Sequence, residues 1–345
     1  MNQLTITTPD DFHTHFRDDL MLHETVPATA RVFNRAIAMP NLVPPLTTAT
    51  MAKAYRERIL QARPLNSTFT PLMTLYLTDK TTSEDILEAK EAGVVAVKLY
   101  PAGATTNSHA GVQNLEKLYP VLESVAEQKM ILLIHGEVTD SDVDIFDRER
   151  VFIERHLTKI LTAIPGLKIV LEHITTTEAV EFVKSAGSNL AATVTPQHLL
   201  LNRNDLLVGG IRPHNFCLPV LKRRKHQEAL HAVIASGNPH FFLGTDSAPH
   251  DKKKKECSCG CAGCYSAHSA IELYAHIFEE LAILPMLNGF ASNYGADFYG
   301  LTRNTGTITL LREPWQVPQE QKLSDGGTVV PFFAGETVNW RISTR

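Results

Sequence analysis

Nowhere in the 345 residues does an apolar run approach the ~20 residues needed to cross a bilayer, which excludes a conventional helical membrane span. The start, Met1-Asn2-Gln3-Leu4-Thr5, lacks a basic stretch followed by an apolar one, so no secretory leader is expected. Cysteine is scarce: five residues, four of them crowded into 257–264, do not form the framework of a disulfide-stapled secreted domain. A cytoplasmic location is expected. Charge of one sign is also missing, since a formal net charge of -4 gives no electrostatic reason to expect nucleic acid or an anionic membrane as partner. The one basic run, Lys252 to Lys255, reads as a solvated loop. No low-complexity linker interrupts the chain.

With 43% hydrophobic and 20% charged residues, the chain has the composition of a packed globular enzyme. Short β-branched runs alternate with amphipathic stretches. Strands are predicted at Ile6 with Phe12-His13, then at 35–39, 69–77, 94–100, 130–135, 167–174, 190–195 and 240–244. Helices are predicted near 48–62, 82–92, 115–128, 147–163, 176–185 and 223–236. Eight strands alternating with helices predict a parallel sheet closed as a TIM (β/α)8 barrel, an α/β fold. Runs such as Val94-Val95-Ala96-Val97 and Ile131-Leu132-Leu133-Ile134 are apolar throughout, as strands covered on both faces must be. Helices at 267–282 and 286–299 and a polar tail complete a single domain over 1–345, in which residues after about 302 form a C-terminal wrap.

Reactive side chains fall where predicted strands end. His13 and His15 follow the first, Asn41 the second, His135 the fifth, His173 the sixth and Asp246 the eighth, while Lys98 lies in the fourth. Side chains two apart on a strand project the same way, so His13 and His15 can reach one ion. TIM barrels build active sites on this rim, which brings the set together. Each member has a structural alternative: a hydrogen-bonded core histidine at His135, a surface ion pair at Glu172-His173, a snorkelling Lys98, a helix cap at Asp246. Taken together they match a two-metal hydrolytic centre. A lysine there needs its charge removed, and carbamylation by carbon dioxide yields an anion able to bridge two metals; burial favours the free amine that this reaction needs.

The motifs Asp11-Phe12-His13-Thr14-His15-Phe16-Arg17-Asp18, Met39-Pro40-Asn41, Lys98-Leu99-Tyr100-Pro101-Ala102, His135-Gly136-Glu137-Val138, Glu172-His173-Ile174-Thr175 and Gly244-Thr245-Asp246-Ser247-Ala248-Pro249-His250 occur in one order. The chain thereby resembles the amidohydrolase superfamily, and within it the dihydroorotases of compact bacterial type, from about residue 9 to 336.

The resemblance implies reversible cyclisation of N-carbamoyl-L-aspartate to L-dihydroorotate in pyrimidine biosynthesis, by a homodimer with two Zn2+ per subunit. It assigns His13, His15 and Asp246 to one zinc, His135 and His173 to the other, and carbamylated Lys98 as the bridge. It further implies a metal-bridging hydroxide as nucleophile and Asp246 as proton shuttle.

The substrate's unreactive carboxylate is expected on Arg17, with Asn41 and His250 adding hydrogen bonds. Backbone groups near Leu218 and Ala262 are expected to touch the substrate. The small, polar segment 103–111 is read as a closing loop carrying Thr105 and Thr106. Cys257-Ser258-Cys259-Gly260-Cys261-Ala262-Gly263-Cys264 reads as a compact loop rather than a zinc knuckle, since no second cysteine pair lies at finger spacing. Two other readings remain open: a related cyclic amidase (hydantoinase or allantoinase), expected to lack the Arg17, Asn41 and His250 combination, and a non-catalytic scaffold subunit, expected to have lost ligands.

Overall fold

The computed structural model describes residues 1–324 and 326–343. Among these, eight parallel strands form one sheet in sequence order: β2 (Asp10–Thr14), β3 (Arg35–Ala38), β4 (Thr70–Tyr76), β5 (Ala96–Leu99), β6 (Ile131–Ile134), β7 (Lys168–Leu171), β8 (Leu190–Val194) and β9 (Phe241–Leu243). β1 (Gln3–Thr7) is not part of it. The expected first strand therefore divides in two at Thr8-Pro9, and β1 instead pairs antiparallel with β10 (Thr307–Leu311), joining the two ends of the chain. Asp10 then starts the barrel strand.

The barrel closes just beyond the last strand. His15 N–H donates to Ser247 O at 2.9 Å and Asp246 N–H to His13 O at 2.9 Å, so backbone bonds join the first and eighth strands beside the expected ligands. Asp11 reinforces the seam: its carboxylate accepts from His13 N at 3.1 Å, Thr245 N at 2.9 Å and Thr245 Oγ1 at 2.6 Å. Helices α1 (Leu22–Ala30), α2 (Ala49–Ala62), α3 (Ser83–Glu91) and α4 (Tyr119–Glu127) follow the first four barrel strands. β6 is followed by α5 (Arg148–Phe152), a π turn and α6 (Thr158–Ala163), and β7 by α7 (Thr177–Ser185). α8 (Pro196–Leu200), α9 (Arg203–Leu207) and α10 (Arg224–Ala235) lie between β8 and β9. After β9 come α11 (Lys252–Lys255), α12 (Ala270–Glu280) and α13 (Tyr294–Tyr299). Capping follows sequence: Thr82 and Asp85 form a reciprocal capping box at α3, satisfying donors the first helical turn leaves free.

Two apolar layers result from the period-two strand geometry. Ile37, Met39, Ala96, Ile131, Leu133, Val170, Ala191 and Phe242 fill the barrel interior with Phe12 and Ala296. Their neighbours Ala36, Ala38, Val97, Leu132, Ile134, Ile169, Leu171 and Leu243 pack outward against the helices. Burying one such side chain contributes about 1.5–3 kcal/mol.

Candidate active site

Counting by twos up the inward positions of each strand leads to the site. Ile37 and Met39 continue to Asn41, Ala96 to Lys98, Ile131 and Leu133 to His135, Val170 to Glu172, and Phe242 through Gly244 to Asp246. The pairing of β2 with β3 shifts register between Asp11 and Thr14, a bulge-like irregularity that lets Phe12 enter the interior while His13 and His15 both reach the rim. Gly244 is required by crowding, since a Cβ there would lie 2.7 Å from Thr193 Cβ and 3.1 Å from His13 Cβ. Three site residues adopt left-handed backbone: Arg17 (φ 62°), His173 (φ 42°) and Asp246 (φ 45°). Such strain persists only where the surroundings enforce it, and it collects at functional sites.

The expected metal ligands converge and are buried. His13 Nε2 lies 3.3 Å from His15 Nε2 and 3.3 Å from Asp246 Oδ1, and His15 Nε2 lies 3.2 Å from the same oxygen. Three donors on a tetrahedral zinc with bonds of about 2.0 Å would be about 3.3 Å apart, so the triangle has the size of a metal face. The His15 tautomer agrees with this: Nδ1 donates to Asn41 Oδ1 at 2.8 Å, which leaves the Nε2 lone pair directed to the centre, while His13 Nδ1 lies 2.9 Å from Glu172 Oε1 without hydrogen-bond geometry. Burial drives His15 down to about 3 and lowers His13, so both rings are neutral. Burial acts to raise Asp246, but a hydrogen bond from the His13 ring outweighs it and holds the carboxyl well below its usual range. Two buried imidazole nitrogens beside a carboxylate are a cation's donor set.

The second half of the set is adjacent. His173 packs with its ring centre 5.0 Å from that of His13 and edge-on 4.8 Å from that of His135, and its Nδ1 is buried without a hydrogen-bond partner. His135 Nε2 lies 2.9 Å from Glu137 Oε2, so Nδ1 is the ring nitrogen left for any other partner. Lys98 is wholly buried: its Nζ meets Glu172 Oε2 and lies 4.7 Å from the centre of the Tyr100 ring. Burial pushes the Lys98 amine well below its ordinary value. Glu172 is thus drawn into the site, forming with His13 and His173 a second group able to hold a metal. Glu172, expected as a surface partner, and Glu137, for which the sequence suggests no role, each lie within two residues of an expected ligand, His173 and His135, and that spacing is their signal.

Above the ligands lies a cavity of ≈ 20 Å³, lined by His15, Arg17, Asn41, Thr105, Thr106, Leu218, Asp246, Ala248, Ala262 and Gly263. Six of the seven expected substrate contacts are therefore on its wall. The seventh, His250, stands behind Arg17: Arg17 Nη2 lies 2.9 Å from its Nε2 and Arg17 Nε donates to Pro249 O at 3.0 Å. His250 Nε2 is also 3.0 Å from Ala262 O. A guanidinium has no acceptor, so Nε2 accepts from Arg17 and the Ala262 contact is not a hydrogen bond. Burial and the Arg17 charge lower His250 to about 2, consistent with that neutral acceptor. Asn41 spends its amide on His15 and, through Nδ2, on Thr106 O at 3.1 Å.

The expected closing loop is down over the site. Asn107 Nδ2 donates to Asn41 O at 3.1 Å and Thr106 Oγ1 to Ala262 O at 3.3 Å. With the loop in this position the cavity has room for about one water. The cysteine segment is a loop after β9, with Cys257 and Cys259 exposed and their sulfurs 3.2 Å apart; among the described residues no cysteine belongs to a metal-competent group. The expectation that Lys252 to Lys255 is a solvated loop fails at Lys255. The run forms α11, and its last lysine is turned into the protein, 3% exposed.

The Amidohydrolase family model matches residues 9–317. Dihydroorotases of Shewanella piezotolerans and Pseudoalteromonas atlantica are 66% and 65% identical, over 100% and 99% of both chains respectively. Among solved structures, the chain is similar to the Saccharomyces cerevisiae dihydroorotase in complex with 5-fluoroorotic acid (32% identity, TM-score 0.92, 99% of each chain). It is also similar to the Campylobacter jejuni dihydroorotase (37%, TM-score 0.90, 99% of this chain and 98% of that one). An L-hydantoinase from Arthrobacter aurescens, at 16% identity and TM-score 0.80 over 99% of this chain and 83% of its own, shares the fold alone. With its barrel, its buried metal-competent groups and these full-length likenesses, the chain belongs to the amidohydrolase family, as one of its dihydroorotases.

Proposed function

We propose that the dihydroorotase reaction of this chain, closing N-carbamoyl-L-aspartate to L-dihydroorotate and reopening it, is carried by two zinc ions on the rim set. His13, His15 and Asp246 would hold one and His135 and His173 the other, with Lys98 as a bridging carbamate. The observation that carries this is the His13, His15 and Asp246 triangle, 3.2–3.3 Å on its edges, in the floor of a cavity that has Arg17 in its wall. Bound there, the ions would polarise the reacting carbonyl and lower the pKa of water.

The residues divide the remaining work. Asp246 is charged and faces the cavity, so during ring opening its carboxylate accepts the proton of the water that adds to the carbonyl carbon and delivers it to the ring nitrogen as the C–N bond breaks. Arg17 grips the carboxylate that does not react, and His250 fixes the guanidinium. Asn41 links ligand His15 to the loop at Thr106, while Thr105, Thr106, Leu218 and Ala262 enclose the ring and exclude water. Lys98 attacks carbon dioxide through its neutral amine; the N–C bond forms and one proton leaves, giving the anion. The protein acts as a cytoplasmic homodimer, each subunit a single domain in which residues after about 302 wrap the barrel.

Assay of purified protein with L-dihydroorotate, following loss of ultraviolet absorbance with and without chelator, tests the activity. Turnover lost on chelation and restored by zinc is expected; turnover indifferent to metal refutes it. Mass spectrometry under mild conditions showing unmodified Lys98 in fully active protein refutes the carbamate.

A further inference from the structure

The four lysines of α11 have different surroundings. Lys252 pairs with Glu320 and Lys253 and Lys254 are exposed, but Lys255 is buried. Asp251 sets this orientation: its Oδ1 accepts from Lys253 N at 2.8 Å to cap the turn, and its Oδ2 accepts from Thr328 N at 3.0 Å. Lys255 Nζ then donates to Phe216 O at 2.8 Å and to Gly263 O at 2.7 Å, with the Phe216 ring 5.9 Å away. No carboxylate among the described residues pairs with it. Burying an ammonium is unfavourable unless its hydrogen bonds are made, so a position that needed only filling would suit an aliphatic side chain better.

The two carbonyls belong to adjoining segments that carry part of the active-site cavity's lining. Phe216 stands two residues before Leu218, Gly263 follows Ala262, and Leu218, Ala262 and Gly263 all line the cavity. Gly263 N donates to Phe216 O at 2.9 Å, so that carbonyl receives both a backbone and an ammonium donor. Gly263 admits no side chain: at φ 143°, a Cβ would fall 2.4 Å from Ala248 O. Ala262 O in turn accepts from Thr106 of the closing loop.

We propose that Lys255 is a positioning residue for substrate binding: its ammonium staples the Phe216 backbone to the Gly263 backbone and so fixes the part of the cavity wall that Leu218 and Ala262 form. This rests on the reading of that cavity as the dihydroorotate pocket. Charge-assisted bonds are the strong class, and two of them from one nitrogen hold two loops that no regular strand ladder joins. The wall contacts a part of the substrate away from the reacting bond, so loosening it weakens ground and transition states alike.

Lys255→Met keeps length and loses the donors. Its KM for L-dihydroorotate is expected to rise about tenfold or more while kcat stays within about threefold, the pattern of lost uniform binding, with bound metal unchanged. Hydrogen–deuterium exchange should quicken in segments 214–220 and 260–266 and stay unchanged in strands β6 and β7. An unchanged KM, or faster exchange spread evenly through the barrel, overturns the proposal. If Lys255→Met does not fold, Lys255→Gln, too short to reach both carbonyls, is expected to show the same local exchange and a raised KM; neither change appearing overturns it equally. Wild-type protein without dihydroorotate turnover would refute the activity reading, and the exchange comparison would still decide the staple.

Discussion

Arg17→Ala gives the sharpest test of how the site distinguishes its substrate. Of the five guanidinium N–H groups, one is donated to Pro249 O and one to His250 Nε2, leaving three without partner among the described residues. They suffice for a two-pronged grip on a carboxylate. Each charge-assisted bond is worth about 1.5–3 kcal/mol, so losing both removes about 3–6 kcal/mol, or roughly 10²- to 10⁴-fold in kcat/KM. The gripped carboxylate keeps its charge through the reaction and is held equally in ground and transition states, which places most of the loss in KM. Arg17→Lys restores the charge but not the fork and should recover part of it.

Stability should barely move in Arg17→Ala. The left-handed backbone at residue 17 burdens arginine and alanine alike, and the structural losses are the donors to Pro249 O and His250 Nε2, about 1 kcal/mol each, which removal of a buried charge offsets in part. Steady-state kinetics with L-dihydroorotate, thermal unfolding and metal analysis on the same preparation separate these effects. A kcat/KM within about threefold of wild type, or a loss confined to kcat, would refute the anchor role.

Glu137→Gln replaces the charged acceptor that orients His135, and should weaken metal retention about 10- to 100-fold in a chelator competition. Gly295→Ala would place a Cβ 2.2 Å from Phe12 Cε2 inside the barrel; overpacking of about 1–3 kcal/mol should lower Tm by about 1–4 °C in a 345-residue chain, and an unchanged Tm would contradict the packing. His198, buried between Thr195 Oγ1 at 2.7 Å and Pro219 O at 2.9 Å, is lowered by burial to about 4. Its unfolded-state value near 6.5 is higher, so the unfolded chain binds the extra proton and stability is lost as pH falls from about 6.5 to about 4, by about 3 kcal/mol. His198→Gln should flatten that part of the Tm–pH curve, and an unaltered slope would exclude His198 as its source.

What was legible in the chain follows from where the determinants lie. Lys98, His135 and Asp246 sit at even spacing above inward residues of their own strands, so local alternation and the count of eight were enough to bring them to one rim. The pieces that escaped depend on contacts made far away in sequence. Ile6 has strand character, yet its partner is Ile308, and nothing near residue 6 says that it leaves the barrel sheet. Lys255 looks like the end of a solvated lysine run, because its inward turn is set by the Asp251 cap and by carbonyls 39 and 8 residues distant. Glu172 looks like a surface partner until strand parity is applied: Val170 points inward, so Glu172 does too, and it is His173, through its left-handed backbone, that departs from alternation. The same residue therefore marks both the limit of periodicity and the site, since a buried rim histidine held at φ 42° is a conformation that strand propensity opposes and that the surrounding contacts must enforce.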